Sequence, residues 1–332
     1  MSDRTALITR FLAGSGWGNA TRSHLAGDAS NRSYQRLQMN GKTAVLMDAP
    51  PDHGEDIRPF VAITNHLLTL GFSAPRILAQ DARNGFLLIE DLGDDLFAKL
   101  IQTSPEMELP LYCAATDVLI KLHQSPPPDH LLDYNPAVMA DYIAPLFEWY
   151  HPAEATPIQN ELQTVLTRYC TTPPVMSLRD YHAENLLWLP DRDGIKRVGL
   201  LDYQDAVRTH PAYDLVSLLK DARRNVPAAI ETAMINRYIT TTGTNPDTFR
   251  AAYAALGVQR NLRILGIFAS LCINAGKPHY IDLIPRVWTQ LTELLTHPAL
   301  TTLQTLVLET LPEPTPDHLQ RLKSQCAKPR TP

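Results

Sequence analysis

Midway along the chain, two short apolar runs flank a polar turn: Asn185-Leu186-Leu187-Trp188-Leu189-Pro190, then Asp191-Arg192-Asp193-Gly194, then Val198-Gly199-Leu200-Leu201-Asp202. Such runs about such a turn read as a β-hairpin. The hairpin sets Asn185 at the start of one strand and Asp202 at the end of its partner. Pro173-Pro174-Val175-Met176-Ser177-Leu178 runs towards it like another short strand, and Asp180 lies in between, five residues before Asn185. A carboxylate, an amide and a second carboxylate are thereby gathered on one short stretch. The surroundings read as helical, so the fold must embed an isolated hairpin among helices.

The N-terminal part has a different texture. Residues 1–16 read as a short amphipathic helix, with Leu7, Ile8, Phe11 and Leu12 on one face. Tyr34 to Met39 alternates, Asn40-Gly41 is a hairpin turn, and Lys42 to Asp48 makes the next strand. Ile57 to Leu70 has helical spacing ended by Gly71, and residues 75–81 and 85–90 form another strand pair. Asp91-Leu92-Gly93-Asp94-Asp95 changes the pattern. Helices are expected at 110–123, 136–148, 158–170, 211–224, 227–241, 247–275 (as one helix or split near Gly257), 279–295 and 299–310. The expected organisation is α+β: a small β-rich lobe over 1–93, a larger mainly helical lobe over 94–312, and a loose, Pro-rich tail over 313–332.

The residue types suit phosphoryl transfer, which asks a protein mainly to position groups and neutralise charge. Asp180 is the candidate catalytic base, accepting the proton of the attacking hydroxyl. Asn185 and Asp202 are candidate Mg²⁺ ligands, since Mg²⁺ prefers oxygen donors and retains some water. ATP is the implied co-substrate. An Asp and an Asn at this spacing also occur as turn and capping residues; the flanking strands favour the catalytic reading.

Composition removes other classes. The 332 residues are 44% hydrophobic and 20% charged, as in ordinary globular proteins. Lys+Arg 30 against Asp+Glu 35 gives a net charge of −5 without a basic stretch, which argues against a nucleic-acid partner. No apolar run suggests a membrane span. Cys113, Cys170, Cys272 and Cys326 are scattered, so neither a zinc site nor a disulfide framework is expected, and a cytoplasmic location fits. No obligate protein partner is evident.

The chain resembles the aminoglycoside phosphotransferase and choline kinase superfamily, small-molecule relatives of the protein kinases with a bilobal protein-kinase-like fold. Several strings look closer to the AmgK-type anomeric kinases of N-acetylmuramate and N-acetylglucosamine. They include Asp28-Ala29-Ser30-Asn31-Arg32-Ser33-Tyr34, Met47-Asp48-Ala49-Pro50-Pro51, Phe86 to Gly93, Leu201-Asp202-Tyr203-Gln204-Asp205-Ala206-Val207 and Tyr213 to Ala222. The resemblance implies ATP-dependent phosphorylation of the anomeric hydroxyl to a sugar α-1-phosphate, in peptidoglycan recycling. It also implies that Ser30, Asn31, Arg32 and Ser33 cover the nucleotide phosphates, and that the backbone of Glu90 and Leu92 receives adenine. Arg179, His182, Asp205, Asp214, Asp221 and Arg223 are weaker candidates for substrate contact, Asp214 being also a candidate loop-ordering carboxylate. Arg223 or Arg224 is a candidate partner for a lactyl carboxylate.

Two departures stand out. Leu178 occupies the position where most relatives carry His, and Met47 the position of the phosphate-pairing Lys. Arg32 and Arg36 are the nearest candidate replacements for that cation. Two alternatives stay open: a kinase of another small alcohol, of the aminoglycoside or choline type, and a non-catalytic nucleotide-binding regulator.

Overall fold

The computed structural model describes residues 2–26 and 31–327. The chain forms two compact units, one of residues 1–118 with 183–205, the other of 119–182 with 206–332.

The first unit is built on an antiparallel sheet of order β1-β2-β3-β5-β4. Its strands are β1 (Thr21–Ala26), β2 (Ser33–Met39), β3 (Lys42–Asp48), β4 (Ile77–Asp81) and β5 (Phe86–Glu90). The Asn40-Gly41 turn has both residues at positive φ, 51° and 72°, as a two-residue hairpin turn requires. On one face of the sheet, Leu37, Ala44, Leu46, Phe86 and Leu88 bury against Ile8 and Leu12 of helix α1 (Ser2–Gly14). Period-two spacing on the strands and i, i+4 spacing on the helix make that seam. Helix α2 (Arg58–Thr69) buries Phe60, Ile63, Thr64 and Leu67, one helical face. Helix α3 (Phe97–Thr103) and the start of α4 (Glu108–Leu122) follow.

The motif hairpin belongs to this unit. Strand β8 (Leu186–Trp188) pairs with β9 (Val198–Leu200). Leu200 donates its N–H to the Ser73 carbonyl at 3.0 Å, and Trp188 to the Asp95 carbonyl at 2.8 Å. Phe97 meets the Trp188 ring edge-on at 6.3 Å.

The second unit holds a small sheet of order β6-β10-β7, made of β6 (Leu132–Asp133), β7 (Val175–Ser177) and β10 (Val207–Thr209). Around it lie α5 (Pro136–Asp141), α6 (Thr156–Tyr169), α7 (Ala212–Leu219), α8 (Ala228–Thr242), α9 (Pro246–Ile273), α10 (Ile284–Leu295), α11 (Thr301–Thr310) and α12 (Pro316–Ser324). Helix α9 is the core of this unit. Asn245 caps it, accepting from the N–H groups of Asp247 and Thr248. By length and composition α9 could cross a membrane, but 72% of its apolar window is buried, as in a core helix.

Three local expectations change, and one left open is resolved. Helix α9 runs unbroken through Gly257, because that glycine serves close packing: a Cβ there would meet Leu294 of α10, and one at Gly266 would meet the backbone of Pro145 and Leu146. The helix expected over 136–148 stops at Asp141 and gives way to a π-turn over Leu146–Tyr150. The tail is not loose throughout, since Thr315 caps α12 and Leu322 is buried. Cys272 and Cys326 form a disulfide, contrary to the reading of the cysteines as unpaired. Their separation of 54 residues hides the pairing, which arises because the end of α9 meets the turn after α12.

Candidate active site

In the first unit, hairpin register brings the amide and the carboxylate together. Leu186 pairs with Leu200, and Leu201 donates its N–H to the Asn185 carbonyl at 3.0 Å. Asp202 follows at once, at φ 55°. An ordinary side chain in this left-handed region is uncommon and marks a constrained site. The Asn185 amide then lies 3.4 Å from Asp202 Oδ2, while Gln204 donates to Asp202 Oδ1 at 2.9 Å. Asp202 itself is exposed. Turning the amide half a turn presents its oxygen beside the carboxylate, a donor pair suited to Mg²⁺. Among the described residues no group of three or more His, Cys, Asp or Glu could hold a metal. A cation on this pair would complete its shell with phosphate oxygens and water.

The residue after Asp202 is anchored. Tyr203 is fully buried, stacks on Phe60 at 5.2 Å, and shares a 2.8 Å hydrogen bond with the Thr64 hydroxyl. The pull of α2 on Tyr203 fixes where Asp202 projects. Sequence reasoning missed this contact, whose only signal is a polar Thr64 on the apolar face of α2.

In the second unit, the loop carrying Asp180 is held by its backbone. The Asp214 carboxylate, on α7, accepts from the N–H of Leu178 at 2.6 Å, the N–H of Arg179 at 2.9 Å and the Ser177 hydroxyl at 2.6 Å. Burial pushes Asp214 up to about 6, against these three donors and the nearby Arg260 cation, which favour the ionised form. One turn further along α7, Ser217 donates to the Arg179 carbonyl at 3.2 Å and accepts from Arg260 Nη2 at 2.6 Å. Arg179 sits at φ 73°, again left-handed, and Asp180 follows it half-buried. Arg179, the residue before the candidate base, is thus gripped at both its N–H and its C=O. Leu178, at the histidine position of most relatives, is buried and takes part through its backbone, donating its N–H to Asp214 and accepting the Asp180 N–H at 2.9 Å. Arg260 and Ser217 escaped the sequence reading; the polar run Gln259-Arg260-Asn261 inside an apolar helix was their signal.

His182, Asp221 and Arg223 come together in the same unit. Asp221 accepts from the Arg223 N–H at 2.8 Å, and the Arg223 guanidinium lies 3.3 Å from His182 Nε2. Burial, then the cations of Arg223 and Arg260, lower His182 to about 3, so its ring is neutral at physiological pH. Burial raises Asp221.

The candidate nucleotide residues lie in the first unit, except that Ser30 falls outside the described residues. Asn31 donates its N–H to Glu55 at 3.0 Å and its amide to the His53 carbonyl at 3.1 Å. Arg32 pairs with Glu55 at 2.7 Å, and Ser33 opens β2 opposite Asp48. Arg36 is engaged by Asp91 at 2.8 Å and Asp94 at 2.7 Å. Met47 is buried within β3. Both candidate replacements for the missing lysine are therefore carboxylate-paired here. The Glu90 N–H donates to the Arg76 carbonyl at 2.8 Å, so a base could use only its carbonyl, with the backbone of Leu92 two residues on. Asp205 accepts from Gln204 at 3.1 Å.

The model of the phosphotransferase enzyme family matches residues 21–253, which include every one of these groups except Arg260. The chain belongs to that family. Two relatives in it span nearly the same length. One is the N-acetylmuramate/N-acetylglucosamine kinase of Caulobacter vibrioides, 38% identical over 91% of this chain and 95% of its own. The other is the N-acetylmuramate/N-acetylglucosamine kinase of Pseudomonas aeruginosa, 33% identical over 92% of this chain and 94% of its own. The protein-kinase-like fold of this phosphotransferase is shared with the choline kinase of Streptococcus pneumoniae, solved in complex with AMP. That structure has a TM-score of 0.57 and 14% identity, and the match covers 87% of this chain and 98% of the other.

Proposed function

We propose that this phosphotransferase moves the γ-phosphoryl group of ATP to the anomeric hydroxyl of N-acetylmuramate and N-acetylglucosamine, giving the sugar α-1-phosphate. The observation that carries the reading is the Asn185–Asp202 pair, set side by side by hairpin register and followed by an anchored Tyr203. The names and coverage of the relatives support the choice of acceptor.

Asp180 accepts the proton of the anomeric hydroxyl as its oxygen attacks phosphorus, and ADP departs. Asn185 and Asp202 would hold Mg²⁺, which supplies neutralisation of the phosphate charge. Asp214 and Ser217 keep the Asp180 backbone in place, so little reorganisation is needed at the moment of transfer. With ATP as donor and a recycled cell-wall sugar as acceptor, the reaction belongs in the cytoplasm.

ADP release, measured with both sugars and with a panel of aminoglycosides, choline and ethanolamine, tests the choice of acceptor. Turnover confined to the two amino sugars supports it. Turnover confined to a cationic acceptor overturns it. Nucleotide binding without turnover on any acceptor would return the regulator reading.

A further inference from the structure

The alternation of β2 and β3 decides which side chains share a face of the first unit's sheet. Leu37, Ala44 and Leu46 bury against α1, so Tyr34, Arg36, Val45 and Met47 face the other way. Register sets Tyr34 directly opposite Met47 and Arg36 opposite Val45. Tyr34 is therefore the polar neighbour of the apolar side chain that stands at the lysine position. Arg32 precedes Tyr34 by two residues and Arg36 follows it by two, so the two arginines bracket it.

The two cations are drawn to opposite ends of the sheet. Arg36 meets Asp91 at 2.8 Å, Asp94 at 2.7 Å and the Gly93 carbonyl at 3.3 Å, all on the segment that follows β5. That is the Glu90–Leu92 end, where adenine is expected. Arg32 meets Glu55 at 2.7 Å, in the segment before α2. The Asn31 N–H donates to the same carboxylate at 3.0 Å, so one group holds both the loop and its cation. Tyr34 links this end to the Asn185–Asp202 pair: burial raises its hydroxyl, the Arg32 cation opposes the rise, and the Asp202 carboxylate adds to it. Burial works against the Arg32 cation too, and Glu55, Tyr34 and Asp205 more than offset it. Arg32 is thus a fixed positive charge one side chain away from Asp202, while Arg36 belongs to the base end.

We propose that Arg32, held by Glu55, takes the place of the missing lysine and binds the phosphates of ATP, whereas Arg36 orders the segment that meets the base. The inference rests on the ATP-dependent reading above and deepens it. In protein kinases the lysine is likewise paired with a glutamate of a nearby helix, so an ion pair does not disqualify the cation. Here the glutamate comes just before α2, the helix that follows β3. A guanidinium carries five N–H donors and keeps its charge at any working pH, which suits phosphate oxygens. Helix α2 then serves both sides of the phosphates: the segment leading into it holds Arg32 through Glu55, and its Thr64 holds Tyr203 beside Asp202.

The test is calorimetric binding of Mg²⁺-ATP and of adenosine to wild type, Arg32→Gln, Arg32→Lys, Glu55→Gln and Arg36→Gln. The expected result for Arg32→Gln is a Kd for Mg²⁺-ATP raised about ten- to a hundredfold, the worth of charge-assisted hydrogen bonds, with the Kd for adenosine little changed. Arg32→Lys should recover part of the loss. Glu55→Gln loosens Arg32 without removing it, and should lower the preference for Mg²⁺-ATP over adenosine by a smaller factor. Arg36→Gln should weaken both ligands alike. Equal weakening of both ligands by Arg32→Gln, no weakening, or an unchanged preference in Glu55→Gln would overturn the assignment. A loss confined to Mg²⁺-ATP in Arg36→Gln would overturn it as well. Binding is read without an acceptor, so a wrong choice of acceptor would not alter these outcomes. A wild type that binds adenosine as tightly as Mg²⁺-ATP overturns the ATP reading, and the assignment falls with it.

Discussion

The carboxylate of Asp214 accepts the backbone N–H of Leu178 at 2.6 Å, thirty-six residues away in sequence. Together with its bonds to Arg179 and Ser177, this contact orders the strand-to-loop corner that leads to Asp180. Asp214→Ala would leave the buried Leu178 N–H and the Ser177 hydroxyl without their acceptor, and the Arg179 N–H with only the Ser177 oxygen at 3.2 Å. We expect a loss of about 3 kcal/mol or more in stability, together with a fall in turnover. Denaturant titration beside kinetics checks this; an unchanged midpoint would contradict it.

The same group gives a pH signature. Its folded value of about 6 exceeds the ordinary 3.8. Its contribution to stability is therefore greatest at low pH and declines as pH rises through about 6, by about 3 kcal/mol at most. Asp214→Asn should lack that decline. The melting temperature of the variant relative to wild type should thus rise between pH 4 and 6. A constant difference across that range would show that Asp214 is not buried as described.

Ser217 bridges Arg260 to the Arg179 carbonyl. Ser217→Ala removes both bonds without adding bulk. The expectation is a drop in kcat of about tenfold, the worth of one well-made hydrogen bond, with KM for ATP unchanged. A change in KM alone would argue that the bridge serves binding rather than placement of the loop.

Asp180→Asn and Asp202→Ala should fail differently. The first keeps the proposed Asn185–Asp202 metal pair, so Mg²⁺-ATP should still raise the melting temperature while turnover falls by about a hundredfold or more. The second removes the proposed Mg²⁺ ligand, so the Mg²⁺-dependent part of that thermal shift should vanish. Identical behaviour of the two variants would refute the division of roles.

The Cys272–Cys326 bond closes a loop of 54 residues and ties α12 to the end of α9. Chain-entropy arguments give up to about 4 kcal/mol for a loop of this size. Reduction, or Cys326→Ser, should lower the melting temperature; no response to reductant would mean that the tail is held by packing alone.

Much of the fold was legible where local pattern and tertiary role agree. β2 and β3 follow from alternation about Asn40-Gly41, and α2 from an apolar face closed by Gly71. The side-by-side placement of Asn185 and Asp202 was legible because a hairpin register leaves one answer. What escaped depends on residues far apart in sequence. Arg260 reaches Ser217 across 43 residues, Tyr203 reaches Thr64 across 139, and Cys326 reaches Cys272 across 54. No local period encodes such meetings. The continuity of α9 through Gly257 was left open for the same reason, since Leu294 packs against that glycine and propensity alone does not decide it.

The central claim is tested most directly by ³¹P NMR of the purified protein with Mg²⁺-ATP and N-acetylmuramate, repeated with N-acetylglucosamine. An acid-labile anomeric phosphate signal growing in step with ADP is the predicted result. ATP left intact with both sugars would contradict the account.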